Sequence, residues 1–376
     1  MENLNSCCFV AKIDEIKEIP GADNIEQAII GGWRCIIQKG QYAEGGLVVV
    51  ATTDAVIPQE LSDALDVTNY LRKGQRVRTV KLRGVYSECL IIPLSFTPKS
   101  KNINVISRGK DMMEILGIFK YEPPVKMIQL SGGRKVRYQD NPNFHVYYKF
   151  PNLKNVPNMF TEDDVVEITR KIHGTNARYG IVKKAKISLW DRLKKLFGNN
   201  WVEYEFVVGS HNVEKGSDSN GFYDTNVWYE IEKKYDIKNK LWEHVKEMGI
   251  DHIGNGITIY GEIYGAGIQK GYDYGLTNIK FVAFDVKQNG EYLDIIDSRV
   301  LITTFLELPY VEVLHFDNWS QEVQDKLVFN KFINGTKVPE EGIVIKHCSG
   351  HRSMVAKVIN PDYLIYSEKH NIGDSH

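Results

Sequence analysis

Short apolar runs cut off by turn-forming residues are what most limits the folds open to this chain. Cys8 to Ile13, Gln27 to Ile30, Trp33 to Gln38, Leu47 to Thr52, Arg76 to Leu82 and Cys89 to Pro93 are each of strand length, and Pro20-Gly21, Gly31-Gly32 and Gly45-Gly46 stand between them. A helix needs a longer periodic stretch, so this spacing predicts a small all-β barrel or sandwich over residues 1–118. Within it the Tyr70 to Arg83 stretch is basic, through Arg72, Lys73, Arg76, Arg78, Lys81 and Arg83. Such a run either guards a sheet edge against aggregation or contacts a phosphate backbone, and both readings stay open.

The pattern then changes twice. Pro123-Pro124, Gly132-Gly133, Asn141-Pro142, Pro151 and Pro157 crowd the next stretch, which predicts an interdomain connection, set at residues 119–145. From Val165 the apolar runs lengthen, and helical spacing appears over 226–235, 239–248 and 297–306. Residues 146–376 are therefore expected to form an α+β domain. Two domains also suit a length of 376 residues. Over 183–197, Leu189, Leu193 and Leu196 recur at helical spacing beside Lys194 and Lys195, as in a surface helix docked by its apolar stripe.

Composition narrows the function classes. A net charge of -1 means that any contact with nucleic acid must come from a local patch. Five cysteines, an odd number with no Cys-x-x-Cys pair, suggest neither a disulfide framework nor a zinc ribbon. His347, Cys348 and His351 are ligand types at zinc-like spacing but have no fourth ligand nearby. The amino terminus lacks a basic region followed by an apolar core, and no run approaches the roughly 18 apolar residues of a membrane helix. A soluble monomer in the cytoplasm, or otherwise intracellular and away from membranes, is the expectation.

Chemistry enters at Glu167-Ile-Thr-Arg-Lys-Ile-His-Gly-Thr-Asn176, where Lys171 closes an apolar strand just before a glycine turn. Lys-x-x-Gly also occurs at Lys246 to Gly249 and Lys287 to Gly290, so it is the segments downstream of Lys171 that single it out. Val207 to Asn212 runs into Ser210, His211 and Asn212; Ile259 to Tyr264 carries Glu262 on one strand face with Tyr260 and Tyr264; Phe281 to Val286 is an aromatic strand. Glu341 to Lys346 has a carboxylate at one end and an amine at the other, and Val355 to Ile359 bears Lys357. Polar groups at the ends of apolar strands can line one anionic cleft.

Nucleotidyl transfer suits such a cleft. A lysine, with a reference pKa of about 10.4, attacks only when deprotonated. Lys346, Lys357 and a divalent ion can supply the positive charge that favours the neutral amine. Lys171 can then attack the α-phosphorus of a nucleoside triphosphate and expel pyrophosphate, with fixed cations and Mg²⁺ stabilising the charge on the phosphoryl oxygens. Mg²⁺ keeps most of its waters, so Glu341, with Glu262, is enough to hold it.

This order of elements resembles the covalent nucleotidyltransferase superfamily of polynucleotide ligases and mRNA capping enzymes. Lys171-Ile-His-Gly-Thr-Asn176 resembles the nucleophile motif of the RNA ligase 2 and RNA-editing ligase group. Gly261-Glu262, Phe281 to Asp285, Glu341 to Lys346 and Lys357 are similar to its later motifs, as is Gly265-Ala-Gly-Ile-Gln-Lys-Gly271 to the glycine-rich run after its ribose-binding glutamate. The resemblance spans residues 145–365. It implies that Lys171 receives AMP, that His173, Gly174, Asn176, Ser210, His211 and Asn212 line the nucleotide, and that Glu262 holds the ribose. It implies further that Phe284 stacks on adenine, that Glu341 (with Glu262) binds the metal mainly through water, and that Lys346 and Lys357 contact the phosphate. His211 stands where the group carries arginine, and Val355 where it carries the first lysine of Lys-x-Lys.

Ile19 to Glu26, with Gly32-Trp33 after it, resembles OB modules of some tRNA-binding proteins. Too little chain follows Lys357 for a carboxy-terminal OB domain, and an OB module ahead of the catalytic domain resembles the Deinococcus- and Naegleria-type RNA ligases. Arg72, Lys73, Arg76 and Arg78 then become candidate contacts to a nucleic-acid strand. The fold implied is an α+β nucleotidyltransferase (ATP-grasp-like ligase) domain of antiparallel sheets with flanking helices, preceded by a small all-β OB-fold domain. The function implied is an RNA ligase that uses ATP with Mg²⁺ or Mn²⁺ to join 3′-OH and 5′-phosphate ends of RNA or an RNA-containing duplex, in nick sealing or RNA repair. The rival readings are a GTP-dependent mRNA guanylyltransferase and a nucleic-acid-binding protein with a weakened catalytic cleft.

Overall fold

The computed structural model describes residues 6–72, 74–97, 107–121, 141–186, 188, 194, 200–211, 214–215, 226–349, 353–370 and 372. Lys73, Asn212, His351, most of the expected 183–197 helix and most of the expected connection lie outside them. The chain forms two compact units, the first taking residues to Tyr121 together with Pro151–Met159, the second taking Asn141–Phe150 and the residues from Phe160 onward.

The first unit carries β1 (Cys8–Lys12), β2 (Glu15–Glu18), β3 (Ile25–Ile30), β4 (Trp33–Gln38), β5 (Leu47–Thr52), β6 (Ala55–Val56), α1 (Gln59–Ala64), β7 (Val80–Leu82), β8 (Val85–Ser87), β9 (Cys89–Ile92), α2 (Met113–Leu116) and β10 (Phe119–Lys120). They pair antiparallel as β1-β5-β9, β2-β3-β4, β10-β6 and β7-β8. The unbroken apolar run of β5 has its reason here: Val48 and Val50 enter one cluster with Ile13, Ile30 and Ile91, while Val49 and Ala51 enter another with Val10, Ile57 and Met112. A strand buried on both faces needs no polar alternation. Lys154, on the segment that returns to this unit, pairs with the buried Glu88 and lies over the Trp33 ring. Part of the basic stretch is tied up within the unit. Arg76 pairs with Asp54 and stacks on Tyr121, 4.5 Å from its ring centroid, and Arg78 donates from Nε to the Tyr70 carbonyl at 3.1 Å.

The second unit runs β11 (Val165–Lys171), β12 (Thr175–Lys183), β13 (Tyr204–Gly209), α3 (Val227–Tyr235), α4 (Ile237–Met248), β14 (Gly256–Gly265), β15 (Ile279–Gln288), β16 (Glu291–Tyr292), α5 (Ile295–Val300), β17 (Val313–Asn318), α6 (Gln321–Val328), β18 (Gly342–His347), β19 (Val355–Ile359) and α7 (Pro361–His370). Two antiparallel sheets result, β13-β12-β14-β15-β16 and β17-β11-β18-β19. Ala177, Tyr179 and Ile181 of β12 alternate onto the face covered by α3 and α4, where Ile237, Leu241 and Val245 recur every four residues along α4 and supply the matching stripe. Asn176, Glu262 and Val282 form a cross-strand row on the opposite face. This is the expected α+β architecture of antiparallel sheets with flanking helices, following a small β domain in the sequence. No helix among the described residues is long and apolar enough to cross a membrane.

Candidate active site

Strand pairing gathers the lysines. In the β11-β18-β19 ladder, Lys171 lies opposite Gly342 and Ile359, Thr169 opposite Val344 and Lys357, and Glu167 opposite Lys346 and Val355. Directly opposed residues share a face, so Lys171, Lys346 and Lys357 all project from one side of this sheet. The half-buried Lys171 donates from Nζ to Glu341 Oε1 at 2.7 Å, and Glu341, the residue just before β18, is completely buried.

The turn after Lys171 is closely held. Gly174 must be glycine, because a Cβ there would overlap the Ile263 carbonyl oxygen and press on the Glu262 side chain. That close approach also lets the Gly174 backbone N–H donate to Glu262. Tyr274 OH accepts the His173 N–H at 2.6 Å, and Gln269 Nε2 donates to the Gly174 carbonyl at 2.5 Å. Burial pushes Glu262 up to about 8, with Glu341 adding to the shift and Lys171 and the Gly174 N–H opposing it. Burial, then the charge of Lys171, brings His173 down to about 3, so its imidazole is neutral. Asn176 Oδ1, on the same face as Glu262, is buried and meets no donor among the described residues, an acceptor suited to a nucleotide group.

Phe284 owes its direction to a bulge. Tyr260 pairs with Asp285 and Gly261 with Ala283, which leaves Phe284 as the extra residue on β15. A bulge re-aims the side chain it carries, and the half-buried Phe284 ring meets Tyr147 edge-on at 5.0 Å. Its carbonyl accepts from Lys346 Nζ at 2.7 Å, and Asp285 Oδ2 lies 3.4 Å from the same amine. Lys346 is thus anchored beside the bulge, only 2 % exposed. Lys357 is half-buried. His211 is held toward the neutral form by burial and then by Arg178 and Lys149.

A half-buried lysine paired with a fully buried carboxylate, a second carboxylate with a raised pKa and an aromatic side chain on a bulge are groups that can carry covalent nucleotide chemistry. A family model described as RNA ligase matches residues 164–359, more than half of the chain. The chain belongs to the RNA ligase family. A model described as an OB-fold domain matches residues 7–94. Solved structures of Naegleria gruberi RNA ligase share the fold. One with PPi is 23% identical over 97% of this chain and 99% of that chain, with a TM-score of 0.66. A mutant with ATP and Mn is 22% identical over the same shares, with a TM-score of 0.67. No curated protein matches the chain.

For an RNA ligase family member, the carboxylates at this site fit a divalent cation. Glu341 and Glu262 are hard oxygen donors that converge beside Lys171. That is the donor set of an ion that retains most of its waters.

Several residues of the site escape sequence reading. Arg178 is buried on the face of Asn176, donating from Nε to the Ser210 carbonyl at 2.7 Å and from Nη1 to the Phe144 carbonyl at 2.8 Å; the period of two along β12 could have found it. Asp285 is buried and receives hydrogen bonds from Tyr147 at 2.9 Å and Ser298 at 3.3 Å. Glu167 is likewise buried under Tyr310 at 2.8 Å and Arg299 at 3.0 Å. A lone tyrosine or serine partner far along the chain carries no signal in sequence.

Proposed function

We propose that this protein is an ATP-dependent RNA ligase that joins 3′-OH and 5′-phosphate ends through a lysyl-AMP intermediate on Lys171, in nick sealing or RNA repair. One observation carries the reading: the Lys171 amine is hydrogen-bonded at 2.7 Å to a fully buried carboxylate. In the first step the Nζ–P bond forms as the α-phosphorus loses pyrophosphate, and Glu341 Oε1 is the acceptor at hand for the proton Nζ must shed. The AMP then passes to a 5′-phosphate, and a 3′-hydroxyl attacks that activated end with release of AMP. The similar structures carry ATP, AMP and Mn, which supports ATP with Mg²⁺ or Mn²⁺ here.

Glu262 and Asn176 would receive the ribose and neighbouring polar groups, Phe284 the adenine face, and Lys357 with Lys346 the phosphates. His173, Gly174, Ser210, His211 and Asn212 would complete the nucleotide's surroundings. A divalent cation bound through water at Glu341 and Glu262 would supply Lewis-acid charge at the phosphates. The OB-fold domain, taken as residues 1–118, would hold the RNA strand through Arg72, Lys73 and Arg78, with residues 119–145 taken as the connection to the nucleotidyltransferase domain at 146–376, apart from Asn141 to His145, which belong to the second compact unit, and Pro151–Met159, which belong to the first. We take the working form to be an intracellular monomer.

Labelling with α-³²P-ATP and with α-³²P-GTP tests the nucleotide, alongside sealing of a nicked duplex whose 3′-hydroxyl strand is RNA. Label from ATP alone, with sealing, is expected. Label from GTP alone would favour a guanylyltransferase, and no label from either would favour a binding protein.

A further inference from the structure

The loop that joins β14 to β15 bonds to the turn that follows Lys171. Two of its side chains hold the main chain of His173-Gly174 from both ends: the Tyr274 hydroxyl accepts the His173 N–H at 2.6 Å, and Gln269 Nε2 donates to the Gly174 carbonyl at 2.5 Å. A backbone N–H only donates and a carbonyl only accepts, so the direction of both bonds is fixed. Lys171 is the last residue of β11. On one side it is held by the pairing with Gly342 in the β11–β18 ladder, and on the other by this turn.

The loop is anchored on both sides of Gln269. Ile268 is buried in the cluster that α3 and α4 cover, and Tyr272 is buried with Ile333, Ile359 and Tyr363. The Tyr272 N–H closes the short turn between them by donating to the Gln269 carbonyl at 3.1 Å. The Tyr272 hydroxyl donates to the Pro339 carbonyl at 2.5 Å. It also accepts from the Tyr274 hydroxyl, the two rings meeting edge-on at 5.0 Å. Each hydroxyl thus donates once and accepts once, in a line from His173 through Tyr274 and Tyr272 to Pro339, two residues ahead of Glu341. Tyr274 keeps a φ of 59°, a left-handed conformation that a bulky side chain holds only where its surroundings fix it.

We propose that Gln269 and Tyr274 are positioning residues for the first step, a clamp on the His173-Gly174 main chain that aims the Lys171 amine at the α-phosphorus. Attack in line with the departing pyrophosphate demands a fixed amine, and a displacement of about 1 Å costs a reaction on the order of a hundredfold in rate. The clamp acts through the main chain, so its effect belongs to the steps that make or break the bond to Lys171 Nζ. Attack of a 3′-hydroxyl on an end that already carries AMP makes and breaks no such bond.

This role rests on Lys171 being the nucleophile, and the test separates the two claims. Tyr274→Phe removes the accepting hydroxyl, and Gln269→Met removes the donating amide at similar length. In full-length protein, single-turnover mixing with ATP and Mg²⁺ reads adduct formation on Lys171, and sealing of a nick whose 5′ end is supplied already adenylylated reads the last step alone. Each variant is expected to form the adduct about tenfold or more slowly at unchanged KM for ATP, while sealing of the adenylylated nick stays within about twofold of the wild type. Unchanged adduct formation would overturn the proposal. So would an equal loss in both reactions, since the loop would then hold the fold and not the nucleophile. Either variant decides if the other does not fold, and hydrogen exchange of the His173 amide in ¹⁵N-labelled wild type needs neither. Slow exchange is expected, and exchange at the rate of an open loop would overturn the clamp. Absence of any adduct on wild-type Lys171 would instead contradict the nucleophile assignment, while the His173 amide would still report the clamp.

Discussion

Lys171 Nζ stands 2.7 Å from Glu341 Oε1 although 170 positions separate the two in sequence. The β11–β18 pairing makes this contact by setting Lys171 against Gly342. One consequence is that neither charge is stable alone. Glu341→Gln is expected to cut adduct formation on Lys171 by at least tenfold and to lower stability by about 1–3 kcal/mol, since it leaves the lysine with a weaker partner. Urea denaturation beside single-turnover labelling checks both, and a variant that labels at the wild-type rate would show that Glu341 has no part in the first step.

Gly174→Ala puts a methyl group against the Ile263 carbonyl and the Glu262 side chain. The turn must then move away from β14, at an expected cost of about 1–3 kcal/mol. Adduct formation should fall with it, because Glu262 loses the Gly174 N–H. Thermal melting and labelling of the same preparation read the two effects.

Lys346 and Asp285 form a buried pair at 3.4 Å. Removing the lysine as Lys346→Met strands a buried carboxylate and should cost about 3–5 kcal/mol, whereas the double variant Lys346→Met with Asp285→Asn should recover much of it. Chemical denaturation of the four proteins of that cycle gives the coupling. Additive losses would mean that the pair holds nothing together.

Glu262 supplies the pH dependence. Its folded carboxyl is raised from 4.5 to about 8, so the folded state holds a proton that the unfolded chain has released across that window. Its contribution to stability is fully present below about 4.5 and is lost as pH rises through about 8. The wild type should therefore lose stability relative to Glu262→Gln over this window. A difference between the two that does not change with pH would contradict the assignment.

In the OB-fold domain, Arg72→Ala is expected to weaken RNA binding and to reduce the salt dependence by about one unit, with adduct formation on Lys171 unaffected, and Arg78→Ala to do the same while also losing its bond to the Tyr70 carbonyl. Arg76→Ala should instead act on folding, through the lost Asp54 and Tyr121 contacts. Binding isotherms at several salt concentrations, together with melting curves, distinguish the two kinds of arginine.

Phe284 entered only through the family resemblance, whereas strand-length apolar runs and the polar residues that end them made Lys171, Glu262 and Glu341 stand out as candidates, because the period of two and the turn signals are local properties. Gly174 was readable for the same reason, and the close approach of Ile263 supplies its cause. Register between distant strands is not local. Only the fold reveals that Val355 lies directly opposite Lys346, or that the Lys346 amine reaches the Phe284 carbonyl and Asp285. The hydroxyls that hold the site, from Tyr147, Tyr274, Tyr310 and Tyr363, come from single tyrosines in otherwise ordinary segments. Nothing in their neighbours marks them.

The most direct test is intact mass measurement of the full chain after incubation with ATP and Mg²⁺ or Mn²⁺, followed by peptide mapping. An added AMP on Lys171, missing from Lys171→Ala together with RNA sealing, is the expected result. RNA sealing that persists in Lys171→Ala, or an adduct mapped to another lysine, would contradict Lys171 as the nucleophile.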